Sequence, residues 1–74
     1  MKLYRISQDV NDDYDTYDSA IVAAETEEEA RLTHPDFYKS ESTWCEPEYV
    51  KVEYIGEAAP HIKAGPLIAS FNAG

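Results

Sequence analysis

The sequence is short of basic residues, glycine and cysteine, and each shortage argues against a class of protein. Six Lys and Arg face 15 Asp and Glu, which gives a formal net charge of −9. A surface of this sign repels nucleic acid and anionic membranes, so direct binding to either is not expected. The three glycines are spread over positions 56, 65 and 74 and form no phosphate-binding loop.

Cys45 is the only cysteine, so no disulfide can form within the chain, as is usual in a reducing cytoplasm. Long apolar runs are also missing: no stretch approaches the roughly 20 residues of a membrane span. The opening residues 1–5 are not followed by the apolar segment of a secretory signal. These features predict a cytoplasmic protein.

What is present is enough for one folded domain over residues 1–74. Hydrophobic residues make up 43% of the chain and aromatic residues 12%, which is too much for a disordered segment. A domain of this size buries only about 60% of the surface of its unfolded chain. It therefore has little room for both a core and a deep active site, and we expect a binding protein, not an enzyme.

Periodicity and turn residues predict an α+β fold in the order β-β-α-β-β. The simplest architecture is a small antiparallel sheet of three or four strands with one short helix packed on one face. The predicted strands cover residues 2–7, 19–24, 49–55 and 67–71, with the helix from Glu27 to about Thr33 and irregular connections at 9–18 and 36–47.

The helix start is the clearest local signal. Thr26 can accept a hydrogen bond from the Glu29 amide, while Glu29 can reach back to the Thr26 amide in a capping box. Glu27 and Glu28 also suit the positive end of the helix dipole, so capping explains these acids without a function. Pro35 disfavours a helical residue before it, which places the helix end near Thr33.

Alternation within 49–55 assigns the two faces of the third strand. Val50, Val52 and Tyr54 are predicted to face the core, with Lys51 and Glu53 in water. Gly56 is predicted to end this strand.

An acidic loop is the first candidate site. Five carboxylates fall within ten residues that include no basic residue, and two tyrosines lie among them. Such a loop can stand in for nucleic-acid phosphates in a groove lined by Lys and Arg, with tyrosines as interface anchors. The alternative is a solvated hairpin tip whose tyrosines support the sheet. The residues predicted to bind a partner are Asp9, Asp12, Asp13, Tyr14, Asp15, Tyr17 and Asp18.

No metal or cofactor site is predicted. The loop begins like a calcium loop, but Tyr14 stands where the sharp-turn glycine belongs and Ala20 where the closing glutamate belongs. His34, Cys45 and His61 have no ligand spacing and no nucleophile–base pattern. The aromatic group Phe37, Tyr38, Trp44 and Tyr49 is expected in or beside the core. If the domain forms a homodimer, Trp44 is the first candidate for the interface.

Five segments together resemble a family of small uncharacterised bacteriophage and prophage proteins. They are YDTYDSA at 14–20, VAA at 22–24, EEAR at 28–31, His34-Pro35 and SFNAG at 70–74, with a Trp44 segment between the last two. The resemblance covers nearly the whole chain but implies no catalytic or binding residue. It implies a phage setting, in which small acidic proteins often bind host proteins in the host cytoplasm.

Three functions follow as hypotheses. The preferred one is a non-enzymatic, DNA-mimic-like inhibitor that covers the basic groove of a host defence complex, as in anti-CRISPR or anti-restriction activity. The first alternative is an oligomeric protein that sequesters a small molecule or nucleotide in a pocket near Tyr38 and Trp44. The second is a phage structural or assembly accessory protein.

Overall fold

The computed structural model describes residues 1–11, 16–35 and 43–72. It shows a four-stranded antiparallel sheet with one short helix, as the α+β prediction required. The strands, numbered β1 to β4 along the chain, are Lys2–Ser7, Thr16–Ala24, Lys51–Glu57 and Gly65–Asn72, and helix α1 is Glu27–Arg31. Their spatial order is β3-β1-β2-β4, so the β1–β2 hairpin is central and β3 and β4 form the two edges.

The core lies between α1 and one face of the sheet. Side chains of β1 alternate between the two faces: Tyr4 and Ile6 are buried while Arg5 is exposed. Opposite them on β2, Val22 is fully buried, and α1 contributes Ala30. The other described members of the core are Ala20, Ala24, Trp44 and Val50. The expectation that Trp44 belongs to the core is therefore confirmed.

The predicted starts of three strands were wrong. β4 begins at Gly65, two residues before the predicted start, so Gly65 and Pro66 belong to the strand. β2 begins at Thr16, three residues before the predicted start, so the loop ahead of it is shorter than 9–18. Its register with β4 shifts between Tyr17 and Ser19, which bulges the strand at Asp18 and interrupts the alternation from which it would be recognised. β3 begins only at Lys51, because Pro47–Tyr49 form a 3₁₀ turn.

β3 departs from the prediction in two further ways. Val50 is buried and Val52 packs against the core, but Tyr54 is 54% exposed, so its assignment to the core was wrong. Tyr54 pairs with Tyr4 and meets its ring edge-on at 5.8 Å, but β3 is an edge among the described strands, so none of them covers the outer side of Tyr54. Gly56 does not end the strand: with φ of 155° it sits beside a register shift and β3 continues to Glu57.

The capping box at α1 forms with one partner changed. The Glu29 amide donates to Thr26 Oγ1 at 3.2 Å, as predicted. The Glu29 carboxylate, however, accepts from the Glu25 amide at 3.0 Å and not from the Thr26 amide. The helix ends at Arg31, and Thr33 Oγ1 donates to the Glu29 carbonyl at 2.7 Å. Side chains thus satisfy backbone groups at both ends of a helix too short to be stable alone.

Replacing Thr26 with Ala is expected to destabilise the domain by about 1 kcal/mol, because the Glu29 amide loses its cap. Urea unfolding followed by circular dichroism measures the difference. Thr26→Ser is the matched control, since it keeps the hydroxyl and should stay close to the parent. Equal losses in both variants would show that the Thr26 methyl group, and not the cap, is the stabilising element.

Candidate functional site

A cleft of about 720 Å³ opens beside α1, between the end of the helix and the segment that leads into β3. Its floor includes buried Trp44, while three apolar side chains at its lip are half or more exposed: Val10, Leu32 and Tyr49. Exposed large apolar side chains are unremarkable singly, but three around one concavity form a contact surface. The other lining residues are Asn11, Arg31, Thr33, His34, Cys45, Glu46 and Pro47. We refer to this concavity as the cleft.

One carboxylate lines the cleft and three others lie next to a lining residue in sequence or by contact, and we call these four the acidic rim. Glu46 lines the cleft itself, and Glu48 and Asp9 each adjoin a lining residue in sequence. Glu28 lies 3.7 Å from Arg31 Nε. The acidic rim is therefore Asp9, Glu28, Glu46 and Glu48.

Two described cations are engaged within the chain: Arg31, which lines the cleft, and Lys51, which binds Asp9 of the acidic rim. The Arg31 guanidinium donates through Nη1 to the Val50 carbonyl and lies beside Glu28, which ties the helix end to the start of β3. Lys51 Nζ donates to Asp9 Oδ2 at 3.0 Å on the exposed surface. That hydrogen bond, and then the charge of Lys51, lower the pKa of the Asp9 carboxyl, so Asp9 stays ionised at neutral pH.

Gln8 organises the start of the acidic loop, and nothing in the sequence pattern pointed to it. Its side chain is buried and makes four hydrogen bonds to backbone. Oε1 accepts from the Val10 and Asn11 amides at 2.9 and 2.7 Å. Nε2 donates to the Asn11 and Tyr17 carbonyls at 2.7 and 2.8 Å. Every polar atom of the amide is used, so the backbone on both sides of the loop is held by one side chain.

Asn11 connects this arrangement to the cleft. Its Nδ2 donates to the Trp44 carbonyl at 2.9 Å, and its own carbonyl accepts a longer bond of 3.4 Å from Thr16 Oγ1. Thr16 is buried although its side chain is polar. The two ends of the loop, at Asn11 and Thr16, are thereby fixed to each other and placed beside the cleft.

The predicted partner-binding residues are only partly within the described chain. Asp12, Asp13, Tyr14 and Asp15 lie outside the described residues, as do Phe37 and Tyr38 of the predicted aromatic group. Asp9 and Asp18 are exposed, on opposite sides of the loop. Tyr17 is half-buried: it packs against the core and meets Phe71 edge-on at 4.8 Å. In the isolated chain Tyr17 supports the sheet, which is the alternative role foreseen for the tyrosines.

His34 and Cys45 both line the cleft, which the sequence could not show. Burial, followed by the charges of Glu46 and Asp9, raises the pKa of the Cys45 thiol. The thiol is therefore protonated at neutral pH, which opposes nucleophilic use. Among the described residues, no three His, Cys, Asp or Glu side chains are grouped as a metal site would need, and no helix is long and apolar enough to cross a membrane.

Comparison with protein-family models, with curated proteins and with solved structures gave no match to this chain. The resemblance to small phage and prophage proteins thus rests on the sequence pattern alone.

Proposed function

We propose that the domain binds a basic surface of another protein, with the acidic loop providing charge and the cleft providing apolar contact. The observation that carries the proposal is the cleft itself: three exposed apolar side chains at its lip, Glu46 in its lining, and an arginine already bound to Val50 and Glu28. A matching partner presents Lys and Arg around a projecting apolar side chain. Apolar contact at short range then supplies residence time, and charge supplies encounter rate.

The net charge of −9 extends this argument to the class of partner. Surfaces rich in Lys and Arg are typical of proteins that hold nucleic acid. Together with the resemblance to phage proteins, this favours a host nucleoprotein complex of the defence type, whose nucleic-acid groove the acidic loop would cover. The domain would then act by occupancy and would need no catalytic residue.

Sequestration of an anionic small molecule fits the cleft less well. A nucleotide needs cations directed at its phosphates, whereas Arg31 is bound to Val50 and Glu28, and Glu46 adds a negative charge to the lining. A phage assembly role remains compatible with the same surface, because it too requires only protein binding. The identity of the captured partner distinguishes assembly from defence.

The test begins with affinity capture from nuclease-treated bacterial lysate, followed by mass spectrometry and binding kinetics with the captured protein. Asp12, Asp13 and Asp15 are changed together to Asn, which keeps side-chain size and removes three charges. We expect association about tenfold slower at low salt and a flatter salt dependence, because exposed charges steer encounter over roughly a Debye length.

The matched control removes three charges at the other end of the sheet, where Glu57 pairs with Lys2 and Glu25 and Glu27 follow β2. Changing these three to Gln should slow association much less. If the Asn variant associates as fast as the parent at every salt concentration, or if both variants are slowed equally, the acidic loop is not the binding element. Circular dichroism confirms that both variants are folded.

A further inference from the structure

The two edges of the sheet differ sharply in charge. The β3 edge carries Lys51, Glu53 and Glu57 and has a register shift next to Gly56, which are devices that discourage pairing with another strand. The β4 edge, Gly65–Asn72, carries no ionisable side chain. Lys63 is the last charged residue of the sequence, so a protein with net charge −9 has one strand and its flanks without charge.

Exposed apolar side chains concentrate on the same edge. Leu67, Ile68 and Phe71 are 44%, 71% and 45% exposed, and Ile68 is the most exposed large apolar side chain among the described residues. Pro66 blocks pairing only at the start of the strand, where proline is tolerated at edges. Within the described ranges no strand pairs with the outer side of β4, so backbone groups there have no ladder partner. An exposed apolar edge strand of this kind is a template for another strand.

We propose that the β4 edge pairs with the β4 edge of a second copy of this chain, which joins two sheets into one of eight strands. The charge distribution favours a second copy as the partner of this edge. Two molecules of net charge −9 repel each other over most of their surface, but they can meet along β4 without bringing carboxylates together. Antiparallel self-pairing is isologous, so it closes at a dimer and does not propagate along this edge.

One pairing register brings exposed apolar side chains of the two copies opposite each other. Pairing centred on Ala69 sets Leu67 opposite Phe71 of the partner subunit, and the reverse pair follows from symmetry. Cross-strand pairs of aromatic and branched side chains stabilise antiparallel ladders. The cleft is lined by Val10 and Asn11, the end of α1 and the segment before β3, so no lining residue belongs to β4 and pairing along β4 does not use the cleft.

Sedimentation velocity from about 5 to about 500 μM tests the proposal, because dimer population follows concentration by mass action. The parent should shift from monomer to dimer over this range. Ile68→Lys, which adds a charge at an exposed position, should raise the dissociation constant about tenfold or more. Ile55→Lys makes the same change on the β3 strand, where Ile55 is 46% exposed, and should dimerise like the parent. Ser70→Lys, also at an exposed β4 position, serves as a second variant if Ile68→Lys fails to fold.

Hydrogen exchange separates edge pairing from other dimers. Half the amides of a free edge strand point outward and exchange quickly, whereas pairing protects them. We expect the outward amides between Leu67 and Phe71 to slow as concentration rises. A parent that stays monomeric over the whole range overturns the proposal, as does a dimer whose outward β4 amides remain fast or which the β4 lysine variants leave intact. Binding of the basic partner is measured separately and can succeed or fail on its own.

Discussion

Val22→Asp should leave the domain unfolded at 25 °C. Val22 is fully buried among Ile6, Ala30 and the rest of the core, with no hydrogen-bond donor provided for a carboxylate. A buried carboxyl group without a hydrogen-bond partner lowers the free energy of unfolding by several kcal/mol even when it is protonated. At about 0.05–0.15 kcal/mol per residue, a chain of this length has roughly 4–11 kcal/mol of stability in total. The substitution therefore removes most or all of it, and far-UV circular dichroism should show an unfolded chain.

Val10→Asp is the matched control, because it makes the same chemical change at a valine that is 54% exposed. Its free energy of unfolding, measured in urea, should stay within about 1 kcal/mol of the parent value, as is usual for substitutions at the surface. The stability of Val52→Asp is expected to lie between those of the other two variants, since Val52 is only partly buried on the edge strand. If Val22→Asp and Val10→Asp melt alike, the core does not lie on the face of the sheet covered by α1.

Gln8→Leu should cost about 2–4 kcal/mol, although it replaces a polar side chain by an apolar one of similar size. It leaves the Val10 and Asn11 amides and the Asn11 and Tyr17 carbonyls without their side-chain partner. Partly buried backbone groups that lose a partner cost roughly 1–3 kcal/mol each, less where water can replace it. Urea unfolding measures the loss, and amide exchange should quicken at Val10 and Asn11.

Gln8→Glu gives a pH-dependent control of the same shape. The carboxylate keeps one accepting oxygen, but its second oxygen faces the Asn11 and Tyr17 carbonyls instead of donating to them. Burial and these carbonyls should raise the folded-state pKa of the new carboxyl above its usual value near 4.3. A raised pKa means that the folded state holds the proton more tightly, so the difference from the parent should shrink as pH falls through the folded-state pKa and grow as pH rises. A difference that is constant between about pH 4 and 7 would contradict this role for the Gln8 amide.

Local signals in the sequence predicted the elements whose causes are local. Alternation placed β1 at its observed bounds, and Thr26 followed by Glu29 marked the helix start. Tyr54 was assigned wrongly because alternation identifies a face of a strand but not whether a neighbour covers it. The strand order β3-β1-β2-β4 decides that question, and it results from packing over the whole chain.

The candidate site was predictable in charge but not in geometry. The acidic loop is visible in the sequence, whereas the cleft depends on Val10, Leu32 and Tyr49, which come from three separate segments. The role of Gln8 could not be predicted, since a glutamine side chain that hydrogen-bonds to backbone groups produces no recognisable spacing or periodicity in the sequence. The uncharged stretch after Lys63 could be read from the sequence, but its importance depends on β4 being an edge.

The Gln8 amide also bears on how this protein can change over evolutionary time. The two strands of the central hairpin are joined at Gln8, Asn11 and Thr16, so these contacts fix its register from outside the four positions between Asn11 and Thr16. If the acidic loop binds a partner as proposed, substitutions at these positions would change binding while Gln8, Asn11 and Thr16 keep their contacts. A lineage facing a partner that keeps altering its surface could therefore vary this loop repeatedly while the scaffold stays under separate, purifying selection.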